Sequence, residues 1–278
     1  MPWLPELFSA AVVEEVRDQR EDRVNDPVPY FAGLISGETD ALIGSFAGVP
    51  ELHHPVWGRV NGPHAFERFV TLQNSWLTER GATFGEVNRL ITPDRGVEEV
   101  VLTLDGNEAR VEMPVAIAAD RDKDARILEL RVYFSAWPLS GRHFNRPPLL
   151  QPGPEVHASG VVGEYQRALA AGDAAAAVAA FEPDGYVREP AGGKYAHRGH
   201  DELLALYELF FSNGGGVSLE HCTVTDNGRA CALEYNVVRW GRSELRPQAG
   251  LAVYTRGTSG KLTSAHIYDD VDPPLGSE

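Results

Sequence analysis

The apolar positions in the second half of the chain form helical runs first and alternating strands afterwards. The pattern predicts a helix over 156–171 and a short second helix over 173–181, for which Asp173 is a good N-cap. An extended segment at 186–190 carries Glu189-Pro190 and precedes a third helix at 200–212. Alternation of apolar and polar residues then predicts further strands, which lie at 217–225, 229–240, 245–256 and 261–269.

The first half repeats this order. Short helices are predicted at 28–36 and 39–46, an extended segment broken by Pro55 at 51–60, and a long helix at 63–79. Strands follow at 83–91, 97–104, 108–118 and 126–137. The ends of the halves also match, because RVYFSAWPLSG at 131–141 is similar to HIYDDVDPPLG at 266–276. These parallels indicate an internal duplication.

The duplication divides the chain into two domains of one kind. We predict a helical arm at 1–24, a first domain at 25–138, a linker at 139–155 and a second domain at 156–278. The linker contains four prolines and two glycines. Helices followed by hairpin-connected strands indicate an α+β class, with three helices on one face of a curved, mostly antiparallel sheet. A conical cavity between helices and sheet is then a natural ligand site.

Composition and charge restrict the partners. The net charge is -15 at pH 7, which disfavours binding to nucleic acid or to an anionic membrane surface. No stretch approaches the roughly 18 apolar residues of a membrane span. The N-terminal segment turns acidic by Glu14 without a basic start, so we do not expect a signal peptide.

The two cysteines, Cys222 and Cys231, flank Asn227-Gly228, a dipeptide typical of a two-residue hairpin turn. That turn would pair Cys231 with Val224 and leave the cysteines diagonal, about 7–8 Å apart, which is wide for a disulfide. We therefore expect two free thiols and a cytoplasmic location.

Segments within 156–273 resemble the NTF2-like superfamily, and most closely ketosteroid isomerase and the SnoaL-type polyketide cyclases. The similar segments are EYQRALAAGD, AAFEPDGYVREPAGG and GKLTSAHIYDD. Residues 28–138 resemble the same superfamily through YFAGLISGETDALIGSF, HHPVWG and RILELRVYF. The domain layout is also similar to that of the two-domain epoxide hydrolases of polyether biosynthesis. The resemblance implies two tandem NTF2-like domains, each a cystatin-like α+β cone.

The resemblance also implies catalytic positions. Ketosteroid isomerase carries a proton-transferring acid before the matching proline and an oxyanion-binding tyrosine in the first helix. By position, Glu189 and Tyr165 take these roles, and His54 and Tyr30 take them in the first domain, at the same spacing of 24 residues. The isomerase has a second acid on its third strand, but Ala249-Gly250-Leu251 carries none. The cyclases use an acid on the last strand, where this chain has Ile267, with Asp269 two residues on and therefore on the same face.

Each of these residues also has a purely structural interpretation. Glu189 could be a solvated loop carboxylate, and Tyr165 a core aromatic. Asp269 could belong to a solvated acidic tail with Asp270 and Asp272. His54 could be a hydrogen-bonded histidine at a strand edge rather than a base near neutral pH. In an apolar cavity, by contrast, a carboxyl pKa rises into the range that suits proton transfer.

In the second domain, substrate contacts are predicted for Ile267 and for Tyr195 and His197, which lie in the loop before the third helix. In the first domain, Trp57 is predicted to cover the pocket. His53 and His54 point to opposite faces of an extended strand, which argues against a shared metal. The sequence contains no HxH, HExxH or CxxC spacing, so no metal is predicted. No cofactor is predicted.

Two functional hypotheses follow. The first is a cofactor-independent acid–base enzyme that isomerises, cyclises, dehydrates or opens an epoxide of a small, mostly apolar, oxygenated polyketide, terpenoid or steroid, with the second domain active. The second is a non-catalytic ligand-binding or scaffold protein, because one fold serves many functions. In either case we expect the two domains to form a pseudo-dimer within one chain, and the chain to be a monomer.

Overall fold

The computed structural model describes residues 30–106 and 109–275, which form two tandem α+β domains of the same design. The predicted fold class, two cystatin-like cones in sequence, is confirmed. The arm predicted at 1–24 lies outside the described residues. Among the described residues, no helix combines the length and hydropathy needed to cross a bilayer.

The first domain contains four described helices and six strands. Its helices are α1 (Tyr30–Ser36), α2 (Thr39–Gly44), α3 (Pro63–Glu79) and α4 (Trp137–Ser140). Its strands are β1 (Glu51–His54), β2 (Gly58–Asn61), β3 (Thr83–Ile91), β4 (Arg95–Asp105), β5 (Arg110–Arg121) and β6 (Ile127–Tyr133).

The second domain repeats the order with three helices and six strands. Its helices are α5 (Gly160–Ala171), α6 (Ala174–Ala179) and α7 (Gly199–Phe210). Its strands are β7 (Phe181–Arg188), β8 (Ala196–Arg198), β9 (Val217–Asp226), β10 (Ala230–Trp240), β11 (Ser243–Arg256) and β12 (Leu262–Tyr268). The α6 N-cap was predicted correctly, because Asp173 Oδ1 accepts from the Ala176 N–H at 2.9 Å.

Both sheets have the same strand order, β2-β1-β6-β5-β4-β3 in the first domain and β8-β7-β12-β11-β10-β9 in the second. Only the β1–β6 and β7–β12 pairs are parallel among these strands. The shared topology, with a single parallel pair at the matching place in each sheet, is what a duplicated unit produces.

Each domain buries one apolar core between its helices and the inner face of its sheet. A third apolar cluster lies between the outer faces of the two sheets. It combines residues of both domains, among them Leu90, Val97, Ala118, Ala232, Leu251 and Val253. Along the strands that contribute to this cluster, successive side chains point alternately toward the helices and toward the other sheet, so these strands are apolar on both faces.

The predicted register of the β9–β10 hairpin is wrong. Cys231 pairs with Asp226 rather than with Val224. The turn is longer than two residues because Asn227 Oδ1 accepts the backbone N–H groups of Arg229 and Ala230 at 3.1 and 2.9 Å. Both cysteines are free thiols, as predicted.

Candidate functional site

The cone of the second domain contains a cavity of about 210 Å³ between α5, α7 and the inner face of the sheet. Its walls are mostly aromatic and aliphatic. Lining residues include Leu169, Val187, Tyr207, Phe210, Val237 and Trp240. Five predicted site residues also line it: Tyr165, Glu189, Tyr195, Ile267 and Asp269. An apolar cavity with a few convergent polar groups has the general character of a small-molecule site.

Asp269 follows the last strand directly and faces this cavity, where it is half-buried. Burial raises the pKa of its carboxyl to about 6, against the lowering effect of a hydrogen bond from Tyr235. That bond joins Tyr235 Oη to Asp269 Oδ2 at 3.0 Å. A side chain at Gly250 would collide with this arrangement, because its Cβ would lie 2.5 Å from Tyr235 Cε2 and 3.0 Å from Asp269 Cβ.

Tyr165 on α5 supplies a neutral hydrogen-bond donor to the same cavity. The Tyr207 hydroxyl donates to the Tyr165 oxygen at 3.0 Å, which leaves the Tyr165 proton free for another acceptor. Burial raises the pKa of Tyr165 to about 12, so the phenol stays protonated near neutral pH. Tyr165 is therefore a buried core aromatic that also lines the cavity.

Glu189 lies at the rim, just beyond the end of β7. Its Oε1 is 2.7 Å from His197 Nε2, and the two side chains are 26% and 30% exposed. A backbone hydrogen bond from Glu189 N to Tyr195 O at 3.0 Å fixes the loop. Glu189 is thus neither an isolated solvated carboxylate nor a deeply enclosed base, but half of a carboxylate–imidazole pair.

Part of the cavity wall comes from the first domain, which the sequence analysis did not anticipate. Trp137 and His143 line the cavity and stack on each other with ring centroids 4.8 Å apart. Asp270 holds this wall in place, because its carboxylate accepts from Ser135 Oγ at 2.6 Å and from Phe144 N at 2.7 Å, and lies 3.0 Å from His143 Nδ1. The predicted linker therefore contributes to the site.

The interpretation of Asp269, Asp270 and Asp272 as a solvated acidic tail does not fit these positions. Asp270 is buried with three partners, Asp269 faces the cavity, and only Asp272 of the three is exposed.

The first domain contains a larger cavity of about 470 Å³, and the predicted residues Tyr30, His54 and Trp57 line it. None of the described residues that line it carries a carboxylate. In the aligned repeat, Phe134 occupies the position of Asp269, and both side chains line their own cavities. The two cones therefore differ in their chemistry.

His54 is placed as a donor rather than as the predicted base. Its Nδ1 accepts the N–H groups of Val56 and Trp57 at 3.2 and 3.3 Å, so the neutral ring carries its proton on Nε2. Burial, assisted by the charge of Arg146, lowers the pKa of His54 to about 3. Burial likewise raises the pKa of Tyr30 far above its usual value, so both groups are neutral at physiological pH.

One cluster of metal-type side chains occurs among the described residues: Glu51, His53 and Glu129. Glu51 already receives two hydrogen bonds from Arg59, at 2.6 and 3.0 Å. Glu129 accepts from Arg131 at 2.9 Å. These carboxylates are compensated by guanidinium groups rather than free to hold a cation. His53 points away from the cavity of His54, as the strand geometry predicted.

Comparison with known proteins shows which domain family the second half of the chain is similar to. Residues 162–265 match the family model of a SnoaL-like domain, which confirms the predicted resemblance of this half. No curated protein matches the chain.

Solved structures similar to part of the chain include an NTF2-like protein of Cytophaga hutchinsonii, with 20% identity over 40% of this chain and 87% of that chain and a TM-score of 0.32. A cystatin-fold protein of Novosphingobium aromaticivorans has 15% identity over 38% and 93%, with a TM-score of 0.34. The epoxide hydrolase/cyclase-like enzyme SalBIII, described in pyran ring formation in the polyether salinomycin, has 16% identity over 42% and 90%, with a TM-score of 0.32.

Proposed function

Because residues 162–265 form a SnoaL-like domain, we propose that the second-domain cavity is the active site of an acid–base enzyme. Its substrate is a small, mostly apolar molecule with a carbonyl, hydroxyl or epoxide oxygen, of polyketide, terpenoid or steroid type. The observation that supports this most is Asp269, a carboxyl with a pKa of about 6 that faces an apolar cavity. Such a value brings a carboxyl closer to the range in which it both takes up and returns protons at neutral pH.

Asp269 is the proposed base. With a pKa of about 6 it is roughly nine-tenths ionised at pH 7, and it is a stronger base than an ordinary aspartate. Tyr165, whose own proton is free, donates to the oxygen on which negative charge develops. Abstraction of a proton next to a carbonyl, with the enolate oxygen held by Tyr165, serves isomerisation, aldol-type cyclisation and dehydration alike.

The Glu189–His197 pair takes a second role in this proposal. Glu189 was the predicted base, but its carboxylate is already hydrogen-bonded to His197 at the rim. We assign the pair to proton exchange between the cavity and solvent. Tyr195 and Ile267 contact the substrate. None of these steps calls for a cofactor.

The alternative of a purely architectural domain is less well supported. Its cone would be filled by its own side chains, whereas this one keeps a cavity with an ionisable group on its wall. We propose a cytoplasmic location, which the free thiols of Cys222 and Cys231 support.

A generic base assay tests the proposal without knowledge of the substrate. In the ring opening of 5-nitrobenzisoxazole, a base removes the proton on C3, the N–O bond breaks, and the coloured 2-cyano-4-nitrophenolate forms. We expect the protein-catalysed rate to rise with pH around a midpoint near 6.

Asp269→Asn should lower this rate by about 10²–10⁴-fold, the usual contribution of a general base. The matched control is Asp272→Asn, which removes an exposed carboxylate three residues further on and should leave the rate unchanged. Full activity of Asp269→Asn would contradict the proposal.

A further inference from the structure

The first-domain cavity is mostly apolar, and among the described residues the polar side chains on its wall are those of His54, Tyr30, Gln73, Ser140 and the indoles of Trp57 and Trp76. Its walls are built largely from Leu34, Leu77, Leu102, Met113, Val115 and Phe134. His54 lies among them, with its ring 5.4 Å from each of the Phe69 and Phe134 rings, measured between centroids. At about 470 Å³ the cavity is more than twice the size of the one proposed as the active site, at about 210 Å³.

The local fold fixes which atom of His54 is available. β1 ends at His54, and the chain turns at Pro55 to begin β2 at Gly58. Nδ1 closes this turn by accepting from Val56 and Trp57. The remaining polar atom is Nε2–H, for which no hydrogen-bond partner is found within 30–106 and 109–275. An acceptor that enters the cavity can meet this donor, and one ordinary hydrogen bond contributes about 0.5–1.5 kcal/mol net.

The charge of Arg146 disfavours a cation in this cavity, and the apolar walls disfavour any ion because it would lose its hydration there. The buried guanidinium of Arg146 lies close enough to act on both His54 and Tyr30, and it donates to the Val132 carbonyl. Its positive charge attracts the oxygen of a carbonyl or ether and repels a cation. Those lining residues that the structure describes include no carboxylate that could act as a base or pair with a cation.

We propose that the first-domain cavity is a second binding site, separate from the proposed active site, for an uncharged apolar molecule with a carbonyl-type oxygen that accepts from His54 Nε2–H. Ketones, esters and lactones fit this description. The site holds its ligand without transforming it, because Phe134 stands where the second domain has Asp269. The lack of turnover in the first cone rests on the proposed role of Asp269, whereas the binding of the ligand does not.

Met113 provides a direct probe of this cavity. The chain contains two methionines, Met1 and Met113, and Met113 is buried in the cavity wall. In the full chain labelled with ¹³C at the methionine methyl groups, Met113→Leu assigns the resonance. Titration with 2-acetylnaphthalene should shift the Met113 signal through the ring current of the bound probe. The matched probe 2-ethylnaphthalene has nearly the same shape but lacks the carbonyl.

We expect 2-acetylnaphthalene to bind about 2–12-fold more tightly than 2-ethylnaphthalene, the fold-change that one ordinary hydrogen bond supplies. His54→Asn keeps an acceptor at the δ position for the turn but removes the ε donor, so it should abolish this preference. His54→Gln restores an N–H at the ε position and should retain it. Far-ultraviolet circular dichroism checks that both variants fold.

Two results would overturn the proposal. One is a Met113 resonance that stays fixed up to the solubility limit of both probes. The other is a preference for the ketone that His54→Asn leaves intact.

Discussion

Arg131 on β6 donates to both carboxylate oxygens of Glu234 on β10, through Nε at 2.6 Å and Nη2 at 2.9 Å. The pair joins the two domains, and its side chains are 0% and 3% exposed. Tyr133 adds a hydrogen bond to Glu234 Oε1 at 2.8 Å. A bidentate guanidinium–carboxylate pair in this setting is both strong and specific in geometry.

The repeat places a related contact on the other side of the interface. His266 and Tyr268, which match Arg131 and Tyr133 in the aligned repeat, both contact Glu99 Oε1 at 2.7 Å. Each domain thus presents one buried glutamate to the last strand of the other. Because the two contacts match in the repeat, we propose that the domains form a pseudo-dimer with approximate two-fold symmetry within one chain.

We predict that Glu234→Gln destabilises the protein by about 1–3 kcal/mol, because Nε and Nη2 of buried Arg131 lose their charged partner while Nη1 keeps Asp120 and Glu129. The double variant Arg131→Met/Glu234→Met should be less destabilised than Arg131→Met alone, because the single change also leaves the buried Glu234 carboxylate without its guanidinium. Urea unfolding at pH 7 measures these changes. Asp105→Asn, which breaks the exposed pair with Arg110, is the control and should have little effect. Wild-type stability of Glu234→Gln would contradict the account.

We also predict that the chain is a monomer. The apolar outer faces of the two sheets already cover each other, with Ala118 and Ala232 among the residues between them. Sedimentation velocity at micromolar concentration should give a single species near 30.4 kDa. A stable dimer in that range would show that another surface, outside this inter-sheet contact, is used for association.

Asp269→Asn should increase stability while it removes activity. The pKa of Asp269 is raised from 3.8 to about 6 in the folded protein, so the unfolded chain loses this proton at lower pH than the folded one does. Stability is therefore lost as pH rises from about 4 to about 6, by about 1–3 kcal/mol in total.

The neutral amide avoids this loss, so the advantage of Asp269→Asn should develop between pH 4 and pH 6 and stay constant above. Thermal unfolding across that range measures it. Asp270 raises and His143 lowers the same pKa, and both remain in the variant. Asp272→Asn should follow the wild-type curve, and an Asp269→Asn curve parallel to the wild-type one would refute the argument.

We predict that His54 contributes to the loss of stability of the first domain at acid pH. Its pKa is about 3 in the folded protein and 6.5 ordinarily, so between these pH values the unfolded chain binds a proton at His54 and the folded protein does not. Stability contributed by neutral His54 is present above pH 6.5 and is lost as pH falls toward 3.

His54→Asn should therefore lose less stability than the wild type between pH 6.5 and pH 4, as measured by urea unfolding at each pH. Arg146 and Tyr30, the other groups near the ring, are unchanged in this variant. The control His64→Asn removes an exposed histidine and should reproduce the wild-type slope. Identical slopes for His54→Asn and the wild type would contradict the buried, neutral assignment.

Much of the fold could be predicted because its determinants are local. Alternation and helical periodicity marked eight of the twelve strands and the main helices, and the repeat revealed two units, whereas β8 lies in a segment that was predicted as a loop. Local side-chain bonding also explains an error: Asn227 binds two backbone N–H groups and lengthens the turn that Asn-Gly was expected to make, which moves the register of Cys231.

The site was predictable only in part. Strand periodicity correctly placed Asp269 on the face of Ile267, and both line one cavity. The sequence could not show which of Asp269 and Glu189 is the better candidate base. That choice depends on the burial of the Asp269 carboxyl and on the contact between Glu189 and His197, which are both set by tertiary structure. The wall of Trp137 and His143 comes from the first domain and from the predicted linker, and no local pattern encodes such a contact.

The most direct test of the central claim is the titration of Asp269 itself, followed by NMR of its side-chain carboxyl carbon in the ¹³C-labelled full chain, with Asp269→Asn for assignment. The account predicts a midpoint near 6. A midpoint near the ordinary 3.8 would mean that the carboxyl is solvated rather than enclosed, and would remove the basis for acid–base catalysis in this cavity.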